Sequence, residues 1–296
     1  MRIVTPETID ASVITSTNVV NDYADWTAGT YDLGDRAVED NVAYEVVADP
    51  STTDQPSVGV TADPPTWVRV GWSNQYRMFR EGIDSYSSGT TSIDVTLTFA
   101  ATIRTFAALG LQGNTAQLIV TDSVEGVVYD ETIDLYQPTA VTWWEYYFLP
   151  YELAQTAVFE NIPPYPNSTY QLIVSGDTGD EIRVGRVVAG PERELGVTNY
   201  GSSVSLQDYS IKERDGFGNL TLVRRRTVSV VDYDVTVPSA RVDLVVRTLK
   251  RLSGTPTLII GETNYNSTIT FGVLQDVTQG IDYPSVSELT VRVEEF

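Results

Sequence analysis

A chain of 296 residues carrying a formal net charge of −21, with no histidine and no cysteine, is already bounded by those totals. The length suits two or three compact units, and 42% hydrophobic against 20% charged residues is a folding composition rather than a disordered one. The acid excess repels a phosphate backbone, so nucleic acid is not an expected partner; lacking His and Cys excludes Ser-His-Asp and Cys-His catalysis, imidazole bases, disulfides and the usual zinc, copper and haem ligands.

Residues 1–20 alternate loosely between apolar and Ser/Thr/Asn positions and are expected to form an arm, either frayed or ordered against a neighbouring subunit. They hold one Arg, two acids and no continuous apolar core, so they are not read as a secretory signal. Export on a particle released by lysis suits such a chain, and so does a cytoplasmic location. No stretch reaches the ~18 consecutive apolar residues of a membrane-spanning helix, so no membrane insertion is expected.

Residues 21–85 hold three of the five tryptophans and a turn-rich stretch, DPSTTDQPSVGVTADPP, and read as a small β module held by aromatics. Residues 86–195 contain eight strand-like runs: SIDVTLTF, TIRTFAAL, AQLIVTD, GVVYDETI, AVTWWEYYFL, TAVFENI, TYQLIVSG and EIRVGRVVAG. Their spacing and β-branched content point to a β-sandwich or jelly roll. In WWEYYF, strand alternation puts Trp143, Glu145 and Tyr147 on one face and Trp144, Tyr146 and Phe148 on the other. One face would pack the core and the other a neighbouring domain or subunit.

Residues 196–296 add further strands (SVSLQDYSI, NLTLVRRRTVSVVDY, PTLIIGE, STITFGVLQDV, ELTVRVEEF) and one helix, in SARVDLVVRTLKRLSG. Val242, Val245, Val246, Leu249 and Leu252 or Ser253 keep helical spacing. Ser239 is the expected cap, Asp243 and Arg247 stand at i,i+4, basic residues favour the C-terminal end, and Gly254 with Pro256 stops the helix. The whole is a mainly β chain: an aromatic β module, a β-sandwich, and a C-terminal α+β assembly domain with one helix.

The chemistry left is that of carboxylates, Lys, Tyr, Ser and Thr. A glycosidase needs only two carboxylates, ~5–9.5 Å apart. Asp130 with Glu131, and Asp177, Asp180 and Glu181, are the candidates, though they lie in turns or alternating strands where acids face solvent. No catalytic residue is assigned and no enzyme activity is expected. Calcium is the one metal that oxygen ligands alone would hold, through Asp130, Glu131 and Asp134 or through Asp177, Asp180 and Glu181; no EF-hand spacing is present and no cofactor is expected.

Trp26, Tyr31, Tyr44, Trp67 and Trp72 fall inside one module of about 50 residues. Aromatic faces of this kind stack on sugar rings, and a module so small also needs large aromatics for its own core. Nine basic residues lie between 212 and 251 against five acids, Asp215 among them. Arg224, Arg225, Arg226, Arg247, Lys250 and Arg251 are the candidate assembly interface, reaching acidic surfaces of another copy or of a partner, with a solvated helix face and strand edge as the alternative.

At Trp26 a pattern emerges. The run DWTAGTYDLGDRAVEDNVAYEVVAD, followed by Pro64, Pro65 and Trp67, resembles small chitin-binding-like modules through Trp26, Gly34, Asp35, Val38, Tyr44, Val46 and Trp67. The continuation VGWSNQYRMFREG and the later YGSSVSLQDYSIKERDGFGNLTLVRRR look similar to segments of tail proteins of double-stranded DNA phages. In this chain Trp72 stands where that pattern commonly has Pro, and Tyr76 where it has Trp. The resemblance implies a virion structural protein of the tail (baseplate, tail tip or fibre-linked) with a galactose-binding-like sandwich. It would act by assembly with other tail proteins and as a homo-oligomer. A host-surface carbohydrate-binding component is the alternative, and a glycan hydrolase the third.

Overall fold

The computed structural model describes residues 1–80, 85–136, 142–149, 153–214, 216–263, 265–280 and 283–296. The chain is mainly β, and among the described residues only Val242–Leu252 is a helix longer than six residues.

The central unit is a sandwich. Its larger sheet has five strands, ordered Gly126–Asp134, Thr115–Asp122, Thr169–Ser175, Ser92–Thr98 and Ile14–Thr17, all antiparallel. Strict alternation of buried and partly exposed residues in three of these strands places Ile93, Val95, Leu97, Ala116, Leu118, Val120, Tyr170, Leu172 and Val174 on one face, as period-two strands require. Against that face packs a three-stranded sheet of Thr156–Phe159, Thr105–Leu109 and Arg186–Gly190.

Two strands of that smaller sheet are buried along their length: every residue of TFAAL and of RVVAG is buried. Phe106, Ala108, Ala157, Phe159, Val187 and Ala189 point into the sandwich core. Their neighbours Ala107, Leu109 and Val188 point the other way, into a second apolar layer with Val4, Leu258, Ile260 and Phe271. Unbroken apolar strands are what a sheet covered on both faces demands.

The second cover is the C-terminal unit. Its eight-stranded sheet runs Glu192–Glu194, Arg2–Val4, Thr257–Ile260, Ile269–Gly280, Val286–Glu295, Thr227–Pro238 and Val197–Thr198, with Ser203–Asp208 also pairing Thr227–Pro238. One face supplies Leu258 and Ile260 to the layer just described. The opposite face, including Ile3, Tyr233, Val235, Ile259 and Val291, is covered by the helix. Helix, sheet and sandwich therefore stack as successive layers.

The helix buries Val242, Val245, Leu249 and Leu252 as expected, with Val246 partly buried, and adds Thr248, whose hydroxyl donates to the Leu244 carbonyl at 2.9 Å. Ser239 does not cap it: Ser239–Arg241 is a 3-10 turn, and Arg241 occupies the cap position without a side-chain bond. Gly254, at φ +78°, does end the segment.

Two further local expectations are corrected. Residues 1–20 do not wait for another subunit: Arg2–Val4 is an inner strand of the C-terminal sheet and Ile14–Thr17 is an edge strand of the sandwich. Arg2 pairs with Glu160 and Glu192, and the chain passes so close to Gly190 that a Cβ there would lie 2.0 Å from the Thr5 carbonyl oxygen. Of AVTWWEYYFL, residues 140 and 141 lie outside the described residues, and Trp143–Phe148 is a helix, not a strand. Thr142 and Glu145 form a capping box: the Glu145 amide donates to the Thr142 hydroxyl at 3.3 Å and the Thr142 amide to Glu145 Oε2 at 3.0 Å.

Candidate functional site

The aromatic module is a three-stranded sheet, Arg36–Glu39, Val42–Val46 and Trp67–Trp72, with a short pairing of Tyr31–Asp32 and Ser51–Thr52. Its core is Ala37, Val46 and Trp67, ringed by Trp26, Tyr31, Tyr44 and Ala48. Four of the five expected sugar-stacking residues are thus gathered, but not as an open platform. Trp67 is 1% exposed, its indole N–H donates to the Asp54 carbonyl at 2.9 Å, and the Tyr31 ring meets it edge-on at 5.3 Å. The turn Pro56–Gly59 closes over it so tightly that a Cβ on Gly59 would lie 2.4 Å from the indole. Trp67 serves the core. Trp26, Tyr31 and Tyr44 remain half-buried around it.

Trp72, at the far end of the same strand, belongs elsewhere. It packs on the sandwich core, 5.7 Å from Tyr76, whose hydroxyl donates to the Ile9 carbonyl at 2.9 Å. The guanidinium groups of Arg69 and Arg80 lie 4.6 and 4.2 Å from its ring centroid, a cation–π arrangement that fills the faces a sugar would need.

Where the N-terminal segment, module, sandwich and C-terminal unit meet, a cavity of about 670 Å³ opens between Glu7, Trp72, Arg80, Arg186 and Phe271. Arg186 is 8% exposed and lies 4.8 Å from the Phe271 ring centroid. Guanidinium groups stay protonated at any ordinary pH, so these two provide charge rather than proton transfer. The cavity was not foreseen, because its walls come from segments more than 200 residues apart.

The acid candidates do not converge. Asp130 and Glu131 are consecutive on a strand and so project to opposite faces; Asp130 accepts from Gln117 at 2.7 Å, while Glu131 accepts from Tyr129. Burial first and Glu131 second push the Tyr129 phenol well above its usual range. Glu181 is held low by Arg183, 2.7 Å away, and Asp177 and Asp180 form the adjoining turn. Among the described residues no group of three acids is placed to hold a metal ion.

The six basic candidates fall on two elements. Arg247, Lys250 and Arg251 are exposed on the helix. Arg224, Arg225 and Arg226 follow a hairpin of Ile211–Arg214 and Leu220–Val223; Arg226 bonds the Phe296 carbonyl, and Asp215 lies outside the described residues. At the foot of this hairpin Asp208, held well below its usual range by Ser210 and Lys212, pairs with Lys212 at 2.9 Å.

Two surfaces stand out by exposure. The hairpin buries none of its eight strand residues, and Leu220 and Val223 are about half exposed. The capped helix Trp143–Phe148 likewise buries nothing, with Trp143 78% and Phe148 70% exposed. Its rings pack mainly on one another, Trp144 on Phe148 at 5.7 Å and Trp143 on Tyr147 at 6.4 Å. The double substitution Trp144→Ser/Phe148→Ser is therefore expected to change unfolding free energy by no more than about 0.5 kcal/mol. Urea titration checks this; a loss above ~2 kcal/mol would mean that the aromatics support the fold.

No protein-family model, curated protein or solved structure matches the chain.

Proposed function

We propose that this chain is a structural assembly protein of a phage tail, working through protein–protein contact. One observation carries the reading: the hairpin and the aromatic helix hold apolar side chains away from every core of their own chain. Exposed apolar surface of this kind marks interaction sites. The tail assignment draws on the likeness of residues 70–82 and 200–226 to segments of tail proteins, and of the Trp26–Trp67 run before them to chitin-binding-like modules. Carboxylates that do not converge, and a cavity with the single carboxylate Glu7 beside two guanidinium groups, favour contact over catalysis.

A second reading, binding of a host-surface glycan, has one feature in its favour, the clustering of half-buried Trp26, Tyr31 and Tyr44 on a single module. The tail reading is tested by gold-labelled antibody on particles released by lysis. Label on the tail is the expected result; protein confined to the soluble fraction, with bare particles, overturns it.

A further inference from the structure

We infer that the basic hairpin of one copy docks on the acidic edge strand Gly126–Asp134 of a second copy, in a head-to-tail contact that repeats. The inference rests on the assembly reading and names the partner of that surface.

Among the described residues, the hairpin is an isolated two-stranded sheet whose strands pair only with each other, an arrangement of marginal stability in water. Its register sets Lys212 opposite Leu222 and Arg214 opposite Leu220, so one face alternates cations with leucines. Residues 209–226 hold five basic residues against two acids in a chain of net charge −21. The rest of the molecule is the natural counter-charge.

That counter-charge is concentrated. Residues 105–182 contain eleven acids and no Lys or Arg. Within this span, Gly126–Asp134 is the outermost strand of its sheet, paired on one side by Thr115–Asp122 and, among the described residues, open on the other. Its Asp130, Glu131 and Asp134 are exposed, and Asp122 and Glu125 flank it at the turn. A nine-residue open edge is a template for strand addition. Charge decides what adds: two acidic edges repel, two basic hairpins repel, and only the unlike pair attracts. The contact therefore joins different patches on the two copies, and wherever one pair does not meet both contacts reciprocally it generates a ring or a filament.

Two charge-reversed proteins test this. One carries Arg214→Glu, Arg224→Glu and Arg225→Glu on the hairpin; the other carries Asp130→Lys and Glu131→Lys on the strand. All five positions are exposed, and circular dichroism with thermal melting verifies that both variants fold. Sedimentation velocity of the wild-type chain is expected to give multiples of the 32.6 kDa monomer that dissociate as salt rises from about 50 to 500 mM. Each variant alone should associate at least about tenfold more weakly, and an equimolar mixture should regain assembly because both of its interfaces are again unlike.

A wild-type chain monomeric at about 100 µM, variants that assemble as well as wild type, or a mixture that stays dissociated would each overturn the inference. If a variant fails to fold, the salt series on wild type alone decides, and assembly indifferent to salt overturns it. A monomeric chain still found on tails sinks this docking alone, whereas salt-sensitive assembly of a chain never found on particles sinks the tail reading alone.

Discussion

Replacing Phe271 by alanine is expected to cost about 3–5 kcal/mol, the usual loss for a buried phenylalanine, and to separate the melting of the sandwich from that of the C-terminal unit. Phe271 is 1% exposed in the layer where Ala107, Leu109 and Val188 of the sandwich meet Val4, Leu258 and Ile260. It also stands beneath the Arg186 guanidinium and meets the Phe296 ring edge-on at 6.4 Å. Removing it opens a void that flat strands on either side cannot collapse to fill, and strips a buried cation of its aromatic cover. Calorimetry of the variant should resolve two transitions where the wild type shows a more concerted one. An unchanged single transition would mean that the layer couples nothing.

The second large effect concerns Trp67. Trp67→Ala is expected to cost about 3–5 kcal/mol and to open the aromatic module while the sandwich stays folded. The variant loses the bond to the Asp54 carbonyl, the edge contact with Tyr31 and the ring on which Gly59 rests. Limited proteolysis should then cut within residues 21–66 and spare residues 86–195. Resistance equal to wild type would contradict a core role. Because unfolding alone would abolish any glycan binding, Trp67→Ala cannot report on stacking; Trp26→Ala, at a half-buried position, separates the two causes.

Much of the β architecture was legible because alternation is a local signal. SIDVTLTF, AQLIVTD and TYQLIVSG each became strands, and the Val242–Leu252 stripe became the helix on the C-terminal sheet. What stayed hidden depends on distant partners. TFAAL and RVVAG are continuous apolar runs, which signals a strand covered twice, but nothing local says that the second cover is a sheet holding residues 2–4 and 257–260. Trp72 lies five residues from Trp67 on one strand, yet packs on another core, because a bulge between Ala43 and Tyr44 and the strand's length carry it out of the module.

The WWEYYF segment teaches a different lesson. Its aromatic content favours strand, and alternation was read into a run in which every position is aromatic or acidic and therefore carries no period. The Thr142 and Glu145 spacing was the available helix signal. The hairpin was only half legible: SVSLQDYSI and NLTLVRRRTVSVVDY were each read as one strand, whereas each run spans parts of two, and Lys212–Arg214 was not read as strand.

Hydrogen exchange on the native assembly, compared with the dissociated chain, tests most directly whether these open surfaces are used. Amides of 211–214, 220–223 and 126–134 should exchange at least about tenfold more slowly when assembled, with the sandwich core unchanged. Equal exchange in the two states at those segments would contradict a protein that works by docking.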